Sequence, residues 1–185
     1  MSTYRIGVIV GSLSRNSINR QLARALEKLA PATMEFEEIE IGNLPLYNHD
    51  FDGDGWPEAA TAFKEQINSK DGYLIVTPEY SRSIPAALKN ALEYVARPYG
   101  QNSFNNKPVA VTGTSMGAIS TAVAQQHLKT ILSHLNAQTF GQPEAFVQFL
   151  PSLIDADYNV TNEGTKEFLN GFLAAFEQLL TRAAK

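Results

Sequence analysis

Residues 4–19, YRIGVIVGSLSRNSIN, decide the fold of this chain. The first seven residues of this stretch form a nearly continuous apolar run, which is typical of a strand buried on both faces. A turn rich in serine follows, and apolar residues then recur at helical spacing at Ile18, Leu22, Leu26 and Leu29. A buried strand, a polar turn and an amphipathic helix in this order predict the opening of an α/β domain.

The rest of the chain repeats this alternation. Residues 34–41 alternate apolar and acidic side chains, which indicates a half-exposed strand at a sheet edge. Further strands are predicted at 72–77, 107–112 and, as a short one, 137–140, and further helices at 58–68, 85–96 and 118–135. A last helix is predicted to carry one apolar stripe made of Phe168, Phe172, Phe176 and Leu180.

Five strands alternating with five helices predict an α/β fold, with a parallel sheet and helices on both of its faces. The edge character of the second strand favours the order 2-1-3-4-5 of a flavodoxin-like, doubly wound sheet. The length of 185 residues suits one domain, residues 1–185. Ligands of such sheets bind beyond the carboxyl ends of the strands, so we expect functional residues in the loops after strands one, three and four.

The composition argues against several classes of partner and site. The chain is 44% apolar, has a net charge of -4 and shows no basic stripe, so neither nucleic acid nor an anionic membrane is an expected partner. The absence of cysteine excludes disulfides, thiolate metal ligands and a cysteine nucleophile. No apolar run approaches the roughly 18 residues that span a bilayer. The first ten residues have the pattern of a strand rather than of a signal peptide, so a cytoplasmic location is expected.

The loop after the first strand, residues 11–19, has the composition of a phosphate site. It offers serine hydroxyls, amide groups and the guanidinium of Arg15, contains no carboxylate, and opens a helix. A helix N-terminus favours an anion through its unpaired N–H groups, and Arg15 can add a charge-assisted contact. The alternative is that Ser17 caps the helix and the other residues line a turn. Because both G-x-G-x-x-G and G-x-x-x-x-G-K-[ST] are missing, a terminal monophosphate such as that of FMN fits better than a dinucleotide or a nucleoside triphosphate.

The loops after strands three and four are suited to a flat ring. Two prolines stiffen residues 77–85, and Tyr80 could stack on a ring, although a half-buried aromatic at a strand end is the simpler interpretation of that side chain. In residues 112–117, Gly113 and Gly117 would let the backbone approach a ligand closely. The N–H groups of this loop could stabilise negative charge on a reduced flavin.

The segments GSLSRNSIN, TPEYSRSIPAALKNALEY and GTSMG resemble the NADPH-dependent FMN reductase family, near its chromate and quinone reductase members. The resemblance covers essentially the whole chain, and its most specific part runs from PEY to LKNALEY. It implies a flavodoxin-like homodimer or homotetramer that binds FMN near the subunit interface. It also implies hydride transfer from NADPH or NADH to small acceptors: quinones, azo dyes, free flavins, or metal oxyanions such as chromate.

The resemblance also assigns binding residues by position. The FMN phosphate would be held by Ser12, Ser14, Arg15, Ser17, Ile18 and Asn19. The isoalloxazine and ribityl portions would be held by Pro78, Glu79, Tyr80, Ser81 and Ser115, with Met116 and Gly117 adjacent. Relatives often have Arg in place of Ser14 and commonly have Asn in place of Ser81. Whether these two serines keep the family contacts is therefore open.

Three other functional classes remain as alternatives. Residues 113–117 spell G-x-S-x-G, the pattern of a hydrolase nucleophile elbow with Ser115 as nucleophile. The later histidines, His127 and His134, precede the later acids and lie on the helix that follows the elbow, so the expected order of a catalytic triad is not met. The second alternative is a flavodoxin-like electron carrier, and the third is a binding module that keeps the fold without turnover. The modest net charge and the Ser/Arg loop favour the reductase over a carrier, which usually has a strongly acidic surface and a Thr-rich phosphate loop.

Neither a metal site nor a dedicated catalytic side chain is predicted. Asp50, Asp52 and Asp54 match the first half of a calcium loop, but the twelfth position is Thr61 instead of Glu, and Pro57 interrupts the loop. Because a bound flavin would carry the redox chemistry, the reaction needs no catalytic acid or base from the protein. The physiological acceptor, the choice between NADPH and NADH, and the choice between dimer and tetramer stay open.

Overall fold

The computed structural model describes residues 3–184, in which strands and helices alternate along the chain. The strands are β1 (Tyr4–Val10), β2 (Met34–Glu38), β3 (Gly72–Val76), β4 (Val109–Ser115) and β5 (Ala145–Gln148). The helices are α1 (Ile18–Leu29), α2 (Glu58–Asn68), α3 (Ala86–Ala96), α4 (Ala122–His134) and α5 (Glu163–Ala183), with a short 3-10 helix at His49–Phe51. The strands form one parallel sheet in the order β2-β1-β3-β4-β5, as predicted.

Two apolar clusters cover the two faces of the sheet. Val8 and Val10 of β1 pack into the cluster that also holds residues of α1 and α5, whereas Ile9 packs into the cluster that holds residues of α2, α3 and α4. Neighbouring residues of β1 therefore enter opposite layers, because side chains alternate along a strand. Burial of each such aliphatic side chain contributes about 1.5–3 kcal/mol, which explains why this strand is apolar throughout.

The predicted position of the fifth strand is wrong. Residues 137–140 do not form a strand; Gln138 makes only an isolated bridge to Pro108, near the amino end of β4. The fifth strand lies at Ala145–Gln148, where it pairs with the carboxyl half of β4 and alternates buried with less buried side chains. The chain needs residues 135–144 to return along the edge of the sheet before a parallel partner for β4 can begin.

Several element boundaries also differ from the prediction. α4 begins at Ala122 rather than at 118, because Ser120 takes a positive φ of 50° and its hydroxyl bonds to the carbonyls of Gly113 and Val147. β2 ends at Glu38 rather than at residue 41, although Ile39 remains buried. β4 continues to Ser115, beyond its predicted end.

The apolar stripe of α5 differs from the predicted one at a single position. Phe172, Phe176 and Leu180 are buried, whereas Phe168 is 39% exposed and Leu169 takes its place in the core. Among the helices of residues 3–184, none is long and apolar enough to cross a bilayer.

Candidate cofactor-binding site

Three loops meet at the carboxyl edge of the sheet, which is where the sequence places the site. β3 lies between β1 and β4, so the loops that follow these three strands are neighbours. The first loop is residues 11–17, the second is residues 77–85, and the third is residues 116–121. The strand order reverses between β1 and β3, and this is the position at which doubly wound sheets bind their ligands.

The first loop presents backbone N–H groups that have no acceptor in the described part of the chain. The N–H groups of Arg15, Asn16, Ile18 and Asn19 donate to no protein group within residues 3–184. Ser17 caps α1, because its hydroxyl accepts a hydrogen bond from the N–H of Arg20 at 3.2 Å. The capping alternative is therefore confirmed for the Ser17 side chain. The open N–H groups of the same turn and the positive end of α1 still make the loop favourable for an anion.

Arg15 is available to bind an anion. It is exposed, and it forms neither an ion pair nor a side-chain hydrogen bond with any described residue. Arg20, one turn further along, is bound instead to Glu38 at 2.8 Å and to the carbonyl of Ser14 at 3.2 Å. Arg15 is therefore the cation of this loop that can pair with a phosphate.

Asn19 holds the first loop against β4. Its side-chain amide donates to the carbonyl of Thr114 at 3.0 Å and accepts from the Thr114 N–H at 2.9 Å, and the residue is buried. The Asn19 side chain is therefore occupied inside the protein, so only its backbone N–H is open to the phosphate that was predicted to bind there. The remaining phosphate contacts predicted for Ser12, Ser14 and Ile18 stay predictions.

The second loop contains a tight turn with two residues in the left-handed region. Tyr80 and Ser83 exchange backbone hydrogen bonds of 2.9 and 3.0 Å, and between them Ser81 and Arg82 have φ values of 50° and 64°. Positive φ at both central positions is the pattern of a type I′ turn, in which Asn and Gly are preferred. Left-handed non-glycine residues cost of order 1–3 kcal/mol and cluster at ligand sites. Tyr80 is 54% exposed, so its ring is free to stack on a ligand.

Glu79 bonds to α4 with its side chain. Its Oε2 accepts from the N–H groups of Val123 and Ala124 at 3.1 and 3.0 Å, and its Oε1 accepts from Arg82 at 3.2 Å. The predicted contact of Glu79 with the ring is thus left to its backbone, whose N–H has no acceptor among residues 3–184. The sequence held one signal of this arrangement, because the first turn of α4 contains no acid of its own.

The third loop is held by hydrogen bonds to Ser115, the last residue of β4. The Ser115 hydroxyl donates to the carbonyl of Ser120 at 3.0 Å and accepts from the Gly117 N–H at 3.3 Å. Met116 is 69% exposed, and its carbonyl accepts from Gln148 at 3.2 Å, a contact that sequence reasoning missed. Gly117 leaves the backbone accessible, because a Cβ at this position would meet only the Ser115 hydroxyl at 3.7 Å.

The role predicted for Gly113 is wrong. A Cβ at this position would lie 2.0 Å from the backbone carbonyl oxygen of Thr77 and 2.5 Å from the hydroxyl of Thr121. The close approach that requires glycine is therefore between β4 and the end of β3, inside the protein, and not between the backbone and a ligand.

The contacts of Ser115 also argue against the hydrolase alternative. No histidine of the described chain bonds to the Ser115 hydroxyl, which donates to a carbonyl instead. His127, on α4, lies with its Nδ1 3.1 Å from the hydroxyl of Ser83. A nucleophilic serine needs a base within hydrogen-bond reach, and no described residue supplies one to Ser115.

The three loops together fit a phosphomonoester joined to a flat ring. The first loop supplies N–H groups and an Arg15 guanidinium that have no partner among residues 3–184. The second supplies the exposed ring of Tyr80 and open backbone N–H groups at Glu79 and Ser81. The third supplies an accessible glycine and the exposed Met116. FMN has a phosphate, a flexible linker and a planar ring, so the donor set matches this cofactor.

Comparison with known proteins agrees with this geometry. The family model for NADPH-dependent FMN reductase matches residues 4–150. The chain is 50% identical over 169 residues to a 2-hydroxy-1,4-benzoquinone reductase from a Burkholderia species, with 91% of this chain and 92% of that protein covered. It is 42% identical over 173 residues to a quinone reductase from Pseudomonas putida, with 94% and 92% covered.

A solved structure extends the similarity to three dimensions. FerB from Paracoccus denitrificans, a flavoenzyme NAD(P)H:(acceptor) oxidoreductase, superposes with a TM-score of 0.93 at 42% sequence identity. The superposition covers 98% of this chain and 99% of FerB. Because the family model matches well over half of the chain and relatives of this identity cover nearly all of it, the chain belongs to the NADPH-dependent FMN reductase family.

Proposed function

We propose that the protein is an NAD(P)H:quinone oxidoreductase that uses bound FMN. One observation carries the proposal: the first loop, whose N–H groups can bind an anion, lies beside a loop with the exposed ring of Tyr80. Relatives with 50% and 42% identity over nearly the whole chain are quinone reductases, which supports the same activity.

In this proposal the first loop holds the phosphate. Arg15 pairs with the dianion, and the open N–H groups at the start of α1 donate to its oxygens. Ser12 and Ser14 line the same turn, where the Ser12 hydroxyl accepts from the Ser14 N–H at 3.3 Å. Ser17 and Asn19 contribute to phosphate binding through their backbone, because their side chains form hydrogen bonds within the protein.

The second and third loops hold the ring portion in this proposal. Pro78, Glu79 and Ser81 supply rigid backbone, Tyr80 supplies an aromatic face, and Ser115 to Gly117 border the same edge. When bound, FMN supplies two-electron redox chemistry that amino-acid side chains lack. The chain supplies position and a preorganised set of dipoles, and no protein acid or base is assigned.

Quinones are the acceptors that we favour. Exposed apolar side chains border the three loops: Tyr80 at 54%, Met116 at 69% and Ile119 at 51%. A flat, mostly apolar acceptor matches such a surface better than a hydrated oxyanion does. Chromate, azo dyes and free flavins stay as further predictions, and the choice between NADPH and NADH is open.

The proposal is tested by rapid-mixing kinetics on the purified chain loaded with FMN. Under anaerobic conditions, NADPH or NADH should bleach the flavin band, and 2-hydroxy-1,4-benzoquinone should then restore it over repeated cycles. A flavin that is bound but that neither nucleotide reduces would support the electron-carrier alternative. A chain that takes up no FMN would refute both.

Oligomeric state and location complete the proposal. We propose a homodimer or homotetramer, and the large exposed side chains Leu46, at 81%, and Tyr99, at 91%, support burial against another subunit. Light scattering on the purified protein would measure the mass, and a monomer would contradict this part. A cytoplasmic location stays a prediction that cell fractionation tests.

A further inference from the structure

Helix α4 is capped by a residue from a different loop. Its N-cap residue, Thr121, makes no side-chain capping bond, because its hydroxyl instead accepts from Gln125 at 2.9 Å. The N–H groups of Val123 and Ala124, at the start of the helix, donate to Glu79, which lies 44 and 45 residues earlier. A helix start needs an acceptor for these groups, so Glu79 replaces the local cap.

The same contacts attach the turn of residues 79–83 to α4. Glu79 bonds to the helix at its first turn, and Ser83 lies 3.1 Å from His127, one turn further on. Positions 123 and 127 share one face of a helix. The turn between Glu79 and Ser83 therefore lies along this face. Its two contacts with α4 stabilise the strained φ values at Ser81 and Arg82.

The Glu79 carboxylate is also a charge placed at a helix end. Its side chain is only 9% exposed, and its one ion-pair partner within the described chain, Arg82, is 69% exposed. The N-terminus of a helix carries a partial positive charge that would otherwise favour a negatively charged ligand nearby. Glu79 neutralises this positive end beside the turn that is proposed to hold the ring.

We propose that Glu79 is a positioning residue that fixes the turn of residues 79–83 by capping α4 and, through its charge, disfavours the reduced form of the cofactor held beside that turn. The inference rests on the proposed function, since it concerns the same cofactor site. It assigns Glu79 no direct side-chain contact with the cofactor.

Two substitutions separate position from charge. Glu79→Gln keeps one oxygen that can accept from both N–H groups, as Oε2 of Glu79 already does alone, but it removes the charge. Glu79→Ala removes both the cap and the charge. Glu144→Gln is the matched control, because Glu144 is likewise bonded to α4, through the side chains of Gln126 and Lys129, but away from the helix end.

Hydrogen exchange measures the cap without any cofactor. In Glu79→Ala the amide protons of Val123 and Ala124 should exchange at least tenfold faster than in the unchanged protein, because their acceptor is lost. Glu79→Gln should retain most of the protection, and Glu144→Gln all of it. Unchanged exchange in Glu79→Ala would overturn the capping role.

FMN titration and potentiometry measure the effect on the site. FMN should bind Glu79→Ala about tenfold more weakly, and Glu79→Gln within about threefold of the unchanged protein. In Glu79→Gln the equilibrium between oxidised and reduced cofactor should shift about tenfold toward the reduced form, ~30 mV more positive for a two-electron couple. Equal affinity in Glu79→Ala, or an unchanged potential in Glu79→Gln, would overturn the proposal. If instead the unchanged protein bound no FMN, the proposed function would fail first, and the two failures are thus distinguishable.

Discussion

At the scale of single residues, Arg15 is the side chain with the clearest opportunity to bind the cofactor. It is exposed and unpaired within residues 3–184, whereas Arg20 and Arg24 are both bound to Glu38. Arg15→Ala should weaken FMN binding about tenfold, which corresponds to about 1.4 kcal/mol, because a charge-assisted contact is lost. Fluorescence titration measures the effect. Higher salt should weaken FMN binding to the unchanged protein but not to Arg15→Ala.

Arg24→Ala is the matched control for this experiment, because Arg24 lies on α1, the helix that follows this loop, and pairs with Glu27 and Glu38. It should leave the dissociation constant of FMN within about twofold. Equal weakening by the two substitutions would show that Arg15 acts through general charge and not through a contact.

Ser81 holds its backbone in a conformation that few non-glycine residues adopt. Its φ of 50° lies in the left-handed region, where Asn is favoured and β-branched residues are outliers. Ser81→Asn should therefore stabilise the protein by about 0.5 kcal/mol, and Ser81→Val should destabilise it by about 1–2 kcal/mol. Thermal unfolding measures both changes. The two changes in stability must have opposite signs. A Val variant as stable as the Asn variant would mean that the turn is not held in this conformation.

At the scale of elements, the pair of hydrogen bonds between Asn19 and Thr114 joins the start of α1 to the end of β4. Asn19→Ala removes both bonds and leaves the buried N–H and carbonyl of Thr114 without partners. We expect a loss of about 2–4 kcal/mol in the free energy of unfolding, measured with urea. Asn16→Ala, an exposed position in the same loop, should change it by less than about 0.5 kcal/mol. A loss below about 1 kcal/mol at Asn19 would contradict the account of this contact.

Lys64 joins α2 to the end of α3. Its ammonium donates to the backbone carbonyls of Val95 and Arg97 and, at 2.8 Å, to that of Gln101. Burial lowers the pKa of Lys64 from 10.5 to about 8. Between these two values the unfolded chain binds a proton that the folded chain has lost, so this residue makes stability rise with pH over that window.

Lys64→Met should remove this pH dependence. The unchanged protein should gain on the order of 2 kcal/mol relative to the variant between pH 8 and pH 10. Urea unfolding of both proteins at a series of pH values gives the difference directly, so other titrating groups cancel. Parallel stability curves for the two proteins would contradict the assignment.

At the scale of the whole molecule, much of the fold could be predicted from the pattern of apolar runs. The acidic alternation of β2 indicates an edge strand, which suits the order 2-1-3-4-5 of flavodoxin-like sheets, and the structure has this order. The fifth strand was misplaced because residues 137–140 and 145–148 are both short and partly apolar. Only the path around the sheet edge, which is a property of the whole chain, separates them.

The site was less predictable than the fold. That the phosphate loop opens a helix is a local property, and its N–H groups are indeed unpaired in the described chain. The partners of Glu79 and Asn19, in contrast, lie 44 and 95 residues away along the chain. Spacing along a sequence does not show such pairings. The resemblance places both residues at the cofactor by position, and the structure adds that their side chains bond to other parts of the protein.

The central claim is that the first loop receives the phosphate of FMN. A crystal structure of the chain grown with FMN tests it most directly. We expect the phosphate at the N-terminus of α1, within hydrogen-bond distance of the N–H groups of residues 15–19 and of the Arg15 guanidinium, with the ring beside Tyr80. A phosphate bound at another helix end, or a first loop closed by its own side chains, would contradict it.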